Sequence, residues 1–119
     1  MTFVYYPTCG TCKKAKAWLD GHGVDYLSRD VKGERPSEAE LRDWQGRSGA
    51  PLKRFFNTSG QLYRSLGLKD RLPGMGEAEQ FALLASDGML VKRPILVGED
   101  FVLVGFRPEE WAKALGVEP

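Results

Sequence analysis

Apolar residues along this chain fall either in short continuous runs or at intervals of three and four positions. The first run, residues 3–6, predicts a short buried β-strand, and residues 12–21 have the spacing of a helix. Glycines at positions 21 and 23 end this helix, and residues 24–28 predict a second strand. Because a strand that resumes soon after a helix indicates a βαβ unit, we expect these two strands to be parallel.

The middle of the chain carries the start, stop and spacing signals of short helices. Ser37 and Glu40 match a capping box for a helix that runs to about residue 47 and ends at Gly49. Further helical segments are predicted at residues 51–56, 61–66 and 76–86. Together they predict a helical insertion over about residues 36–90.

The last part of the chain returns to strands. Two apolar runs, residues 94–97 and 101–104, flank a glycine-containing loop and predict an antiparallel hairpin. Pro108 stands at a first helical position and predicts a final helix that ends near Gly116. The order βαβ, helical insertion, ββα predicts an α/β protein with a thioredoxin-like fold and a mixed four-stranded sheet.

Composition limits the possible organisation and partners. A chain of 119 residues predicts one domain that spans residues 1–119. The net charge of +1 and the lack of a basic stripe favour neither nucleic acid nor an acidic membrane surface as a direct partner. With no apolar run of 18 residues and no signal segment, we expect a cytoplasmic protein, and we expect it to be a monomer.

The only two cysteines, Cys9 and Cys12, form a Cys-x-x-Cys at the predicted strand-to-helix junction. A helix start offers unpaired N–H groups and the positive end of the helix dipole, and both favour a thiolate. We therefore predict Cys9 as the attacking thiolate and Cys12 as the resolving thiol. The alternative is a pair of inert buried thiols. Two cysteines and one histidine fall short of a four-ligand zinc site, so no metal is expected.

Two arginines are candidates to face the cysteines. Arg93 precedes Pro94 at the start of the predicted hairpin, which is compatible either with an ordinary strand start or with a cis-proline packed beside the cysteine loop. In the second case Arg93 would donate to an anion or to the thiolate. Arg107 is a candidate for the same place, the alternative being a surface charge before the last helix.

Six ordered motifs of this chain recur in one protein family. They are YPTCGTCKKA (residues 6–15), FFNTSG (55–60), YRSLGL (63–68), LASDGML (84–90), KRP (92–94) and VGF (104–106). On these motifs the chain resembles the ArsC/Spx/MgsR family, which contains glutaredoxin-coupled arsenate reductases and redox-sensing regulators of RNA polymerase. The resemblance covers residues 2–115.

The resemblance implies a nucleophile at Cys9 and substrate contacts from the adjoining Gly10 and Thr11. It implies no bound cofactor, with glutathione or a thioredoxin- or glutaredoxin-type protein as reductant. In the arsenate reductases three arginines hold the oxyanion; two match Arg93 and Arg107, and the third position is Asn57 here.

The family offers three hypotheses for function. Its reductases commonly have serine where this chain has Cys12, whereas its regulators keep both cysteines and bind the polymerase α-subunit instead of DNA. The intact cysteine pair and the neutral Asn57 favour a thiol–disulfide oxidoreductase with an unassigned substrate. The alternatives are a redox-sensing regulator that binds the α-subunit and a glutathione/glutaredoxin-dependent arsenate reductase.

Overall fold

The computed structural model describes all residues, Met1–Pro119, and contains four strands and six α-helices. In chain order these are β1 (Thr2–Tyr5), α1 (Gly10–Gly21), β2 (Leu27–Asp30), α2 (Glu38–Ser48), α3 (Gln61–Ser65), α4 (Leu68–Arg71), α5 (Glu77–Ser86), β3 (Ile95–Val97), β4 (Val102–Val104) and α6 (Pro108–Leu115). Short 3₁₀ turns lie at Leu52–Phe55, Leu72–Gly74 and Gly88–Leu90. None of the helices has the length and apolar content that crossing a bilayer requires.

The four strands form one mixed sheet in the order β2-β1-β3-β4. β1 and β2 are parallel, whereas β3 is antiparallel to both β1 and β4. The α/β class, the mixed four-stranded sheet and the thioredoxin-like arrangement predicted from the sequence are confirmed. The whole connection between β2 and β3 consists of helices, 3₁₀ turns and short loops, as the predicted insertion requires.

Each face of the sheet carries its own hydrophobic core, because successive side chains of a strand point to opposite faces. On one face, Phe3 and Leu96 pack with Trp111 of α6 and with the buried side of α1. On the other face, Val4 and Ile95 pack against the helices of the insertion. The cysteine pair therefore starts a helix that is fixed to the sheet by one of the two cores.

The predicted bounds of the second strand are wrong. β2 begins at Leu27 rather than at residue 24 and ends at Asp30. The reason is local: the Val24 N–H donates to the Leu19 carbonyl at 3.1 Å, so the chain is still closing the last turn of α1. Pairing with β1 starts where the Leu27 N–H donates to the Met1 carbonyl at 2.9 Å.

The start of α2 follows local capping chemistry. Ser37 Oγ accepts from the Glu40 N–H at 3.1 Å, and the Glu40 carboxylate accepts from the Ser37 N–H at 3.0 Å, which completes the capping box. The helix ends at Gly49, whose φ of 69° is a left-handed conformation that favours glycine. Glu40 also forms a two-pronged ion pair with Arg29 of β2, which ties the insertion to the sheet.

Candidate redox active site

Cys9 is the N-cap residue of α1. Its backbone is extended, with φ −74° and ψ 121°, and its Sγ accepts a hydrogen bond from the Cys12 N–H at 3.4 Å. The sulfur thus occupies the place where a serine or aspartate oxygen commonly caps a helix. Unpaired N–H groups and the positive end of the helix dipole both favour negative charge there.

The Cys9 thiol is acidic and accessible. Burial raises its pKa, but hydrogen bonds from Cys12 and the positive charge of Arg93 outweigh that effect, so the pKa lies below the ordinary value of 9.0. The side chain is only partly buried and the thiol is free. A thiolate that is both stabilised and open to solvent is the reactive form of cysteine.

Cys12 has the opposite character. It is 1% exposed and packs in the core with Phe3, Leu19 and Trp111. Burial, together with the neighbouring Cys9, raises the pKa of Cys12 to about 12. At neutral pH this thiol is protonated, so the two cysteines differ in reactivity: Cys9 is the reactive sulfur, and Cys12 is buried and unreactive until it is deprotonated.

Arg93 lies next to Cys9 although 84 residues separate them in the sequence. Its guanidinium is 5.0 Å from the centre of the Tyr6 ring, and its Nη1 atom is buried without a hydrogen-bond partner. The Arg93–Pro94 peptide bond is cis. These contacts hold a permanent positive charge beside the Cys9 sulfur.

Asn57 lines a cavity of about 700 Å³ together with Arg93. It is 8% exposed, and its N–H donates to the Leu90 carbonyl at 2.7 Å, which joins the two segments. A side chain on Gly60 would collide with its amide. The backbone of Asn57 is therefore anchored at the cavity that Arg93 also lines, and its side chain brings a neutral amide to that cavity rather than a charge.

Arg107 lies elsewhere. It lines a separate groove with Thr11, its side chain is 58% exposed, and its Nη1 is 3.4 Å from the Glu110 carboxylate. Gly10, the first residue of α1, has open space where a Cβ would stand. Of the site residues named from the sequence, the structure gathers Cys9, Cys12 and Arg93, with Asn57 beside Arg93 and Arg107 apart.

The groove next to Thr11 carries, besides Arg107, three charges that sequence reasoning missed. We call it the cationic groove; its positive side chains are Lys53, Arg54, Lys92 and Arg107. No local motif joins these four positions, because they come from three different segments of the chain.

The lysines of α1 differ from Arg93 in their surroundings. Lys16 donates to Asp20 at 3.1 Å and to the Tyr26 hydroxyl at 3.0 Å. The groups that lower the pKa of Cys9 are Cys12 and Arg93. No three His, Cys, Asp or Glu side chains lie close enough together to hold a metal ion.

Comparison with known proteins identifies the family. Residues 4–114 match the model of the ArsC family. The chain is 49% identical over 111 residues to the uncharacterised protein YusI of Bacillus subtilis, covering 93% of this chain and 94% of that one. It is 30% identical over 113 residues to the regulatory protein MgsR of the same organism, covering 95% and 88%.

A solved structure of an ArsC family related protein from Bacteroides fragilis superimposes with a TM-score of 0.93, at 53% identity and 94% coverage of both chains. Its fold agrees with the strand order and helical insertion described above. The resemblance noted in the sequence is confirmed, and the chain belongs to the ArsC family.

Proposed function

We propose that this chain is a thiol–disulfide oxidoreductase in which Cys9 is the nucleophile and Cys12 the resolving thiol. The observation that supports this most directly is that two cysteines one helical turn apart differ in both exposure and pKa. Cys9 is accessible with a lowered pKa, whereas Cys12 is buried with a pKa raised to about 12. A pair divided in this way suits sequential thiol exchange.

In the proposed reaction the Cys9 thiolate attacks one sulfur of a substrate disulfide. A bond forms between Cys9 and that sulfur, and the other substrate sulfur leaves as a thiolate, which takes a proton from solvent. Cys12 then loses its proton to solvent and attacks the Cys9 sulfur, so that the second substrate thiolate departs and the Cys9–Cys12 disulfide forms. Two electrons pass to the substrate.

Completing the cycle requires an external thiol. Glutathione or a thioredoxin- or glutaredoxin-type protein would reduce the Cys9–Cys12 disulfide and return both thiols. Arg93 is proposed to act throughout as a fixed positive charge that stabilises the Cys9 thiolate, both as attacking and as leaving group. A pair that cycles between dithiol and disulfide in this way suits a reducing compartment such as the cytoplasm, where disulfides are usually transient and catalytic.

The geometry offers little support for arsenate as substrate. Arg93 is joined in its cavity by the neutral Asn57, while Arg107 lines the cationic groove and contacts Glu110. A neutral amide lacks the charge and the two-pronged donation of a guanidinium. The cysteine pair therefore supports disulfide exchange better than oxyanion reduction.

Trapping the mixed disulfide tests the proposal. A Cys12→Ser variant should accumulate a covalent adduct between Cys9 and its substrate, which mass spectrometry of the purified adduct would identify. The matched Cys9→Ser variant should form no adduct and should lose turnover of disulfide substrates. If Cys9→Ser reduces a disulfide as fast as the wild-type protein, the proposed enzyme is wrong.

A regulatory role is the second candidate, supported by the similarity to the regulatory protein MgsR over 95% of this chain. In this case the cysteine pair acts as a switch and the partner is the RNA polymerase α-subunit. Oxidation should then change the affinity for purified α-subunit by at least tenfold while disulfide turnover stays negligible. Equal affinity of the oxidised and reduced proteins would exclude that role.

A further inference from the structure

We propose that the cationic groove binds an acidic segment of the polypeptide that carries the disulfide on which Cys9 acts. This inference rests on the proposed oxidoreductase function and adds a class of substrate to it. The groove has a volume of about 420 Å³ and brings four positive side chains together, and no carboxylate is among its lining residues. One wall is Thr11, which lies between the two cysteines.

The positive charge of the groove is not neutralised within the chain. Overall the protein is nearly balanced, with 17 Lys and Arg against 16 Asp and Glu. Ion pairs elsewhere join oppositely charged neighbours, for example Arg42 with Glu38 and Arg47 with Asp43. Lys53, Arg54 and Lys92 have no such partner, and in the groove only Arg107 contacts a carboxylate. The groove is thus a local positive surface on a balanced molecule.

One of these cations is held in place by the backbone. Arg54 Nη2 donates to the Val104 carbonyl at 3.0 Å, which fixes the guanidinium at the groove wall. The segment that carries Lys92 is anchored as well, because the Lys92 N–H donates to the Phe55 carbonyl at 2.7 Å. A guanidinium fixed in this way can meet an anion with little loss of side-chain freedom.

The shape of the groove favours a chain segment over a small molecule. Pockets for small ligands are mostly apolar and enclose most of the ligand surface. The cationic groove is only partly enclosed, and four of its 11 lining residues are cations. Complementary charge on an open surface chiefly accelerates encounter and selects partners. Thr11 at its wall places the groove against the first turn of α1, the helix that Cys9 caps.

Matched peptide disulfides test this proposal. Each peptide carries one cysteine as a mixed disulfide with 2-mercaptoethanol; one has four flanking glutamates, and the other has glutamines instead. The reduced protein is mixed with each peptide, and the second-order rate constant of peptide reduction is measured by chromatography of quenched samples. At low salt the glutamate peptide should react about tenfold faster, and added salt should bring the ratio toward one.

Charge substitutions connect that preference to the groove. The double variant Lys53→Glu/Lys92→Glu should abolish or reverse the preference for the glutamate peptide, and the milder Lys53→Gln/Lys92→Gln should reduce it. Lys69→Glu changes the net charge by two, as the double glutamine variant does, but on α4 outside the groove, and should keep the wild-type ratio. Because each ratio compares two substrates of one protein sample, partial loss of folded protein cancels.

Each other result overturns the proposal in a recognisable way. If the wild-type protein reduces both peptides at one rate, or if the groove variants keep the preference, the groove does not bind acidic segments while the oxidoreductase function stands. A dependence on Lys53 and Lys92 seen only with glutathione disulfide would assign the groove to a small carboxylate ligand. If neither peptide is reduced, the proposed function fails as well.

Discussion

Replacing Arg93 with methionine removes the positive charge beside Cys9 and keeps an unbranched side chain of similar reach. Burial of the Cys9 sulfur by itself raises its pKa, and Arg93 is one of the two groups that bring the pKa below 9.0. The other group, Cys12, stays in place in the variant. Arg93→Met should therefore raise the pKa of Cys9 without removing the cap of α1.

The size of the effect follows from general values. A neighbouring opposite charge shifts a pKa by roughly one to three units, and the partly exposed Cys9 belongs at the low end, about one unit. At any pH below both pKa values the thiolate fraction then falls about tenfold. The remaining thiolate is more basic and about threefold more nucleophilic, since reactivity rises with roughly the 0.4–0.5 power of basicity. The observed rate in that pH range should fall about three- to fourfold.

Reaction with 4,4′-dithiodipyridine, followed by absorbance from pH 4 to pH 10, measures both the pKa and the limiting rate. The two profiles should cross: the variant is slower at a pH below both Cys9 pKa values, but about threefold faster at a pH where Cys9 is ionised in both proteins. Arg64→Met is the control, because Arg64 donates to the Ser59 carbonyl and does not act on the Cys9 thiol. Superimposable profiles for Arg93→Met and the wild-type protein would refute the role given to Arg93.

Three further predictions concern stability and the anion site. Gly88→Ala should lower the free energy of unfolding by about 3 kcal/mol, because the new Cβ would overlap the Val31 carbonyl. Gly46→Ala, at an open site within α2, should raise the free energy of unfolding by roughly 0.5–1 kcal/mol, and urea titration measures both changes. The pKa of Glu40 is lowered to about 2 by its hydrogen-bonded arginine, so this stabilisation is full above pH 4.5 and is lost as the pH falls through about 2. Glu40→Gln should lower the free energy of unfolding by about 1 kcal/mol at pH 7. It should also weaken the loss of stability at acid pH, which urea titrations at successive pH values measure. Asn57→Arg should tighten arsenate binding about tenfold by calorimetry, and an unchanged affinity would show that the neutral amide is not what weakens the site.

Features set by neighbouring residues could be predicted from the sequence. The Ser37 capping box, the left-handed Gly49 and the Cys-x-x-Cys at the start of α1 each depend on groups within a few positions of one another. The short continuous apolar runs predicted the strands of the sheet for the same reason. These local rules were enough to define the fold class.

Features that depend on distant segments could not be predicted in this way. β2 pairs with β1 only from Leu27, where the Leu27 N–H donates to the carbonyl of the distant Met1, and no local propensity reports that partner. The separation of Arg107 from the Arg93 cavity and the gathering of Lys53 with Lys92 arise only once the insertion is packed on the sheet. Charge signs were readable from the sequence, but their convergence was not.

The sulfur of Cys9 is both a cap and a reagent, and this couples the folding of α1 to electron transfer. Its lowered pKa means that the thiolate stabilises the fold fully above the unfolded pKa near 9.0, and that this stabilisation is lost as the pH falls through the lower folded value. A disulfide sulfur carries no charge, so forming a bond at Cys9 removes the anionic cap. Selective stabilisation of the reduced form makes a cysteine pair more oxidising. A change at the start of α1 that stabilises the thiolate further should thus raise the reduction potential of the pair. The start of this helix therefore sets part of the redox thermodynamics of the protein.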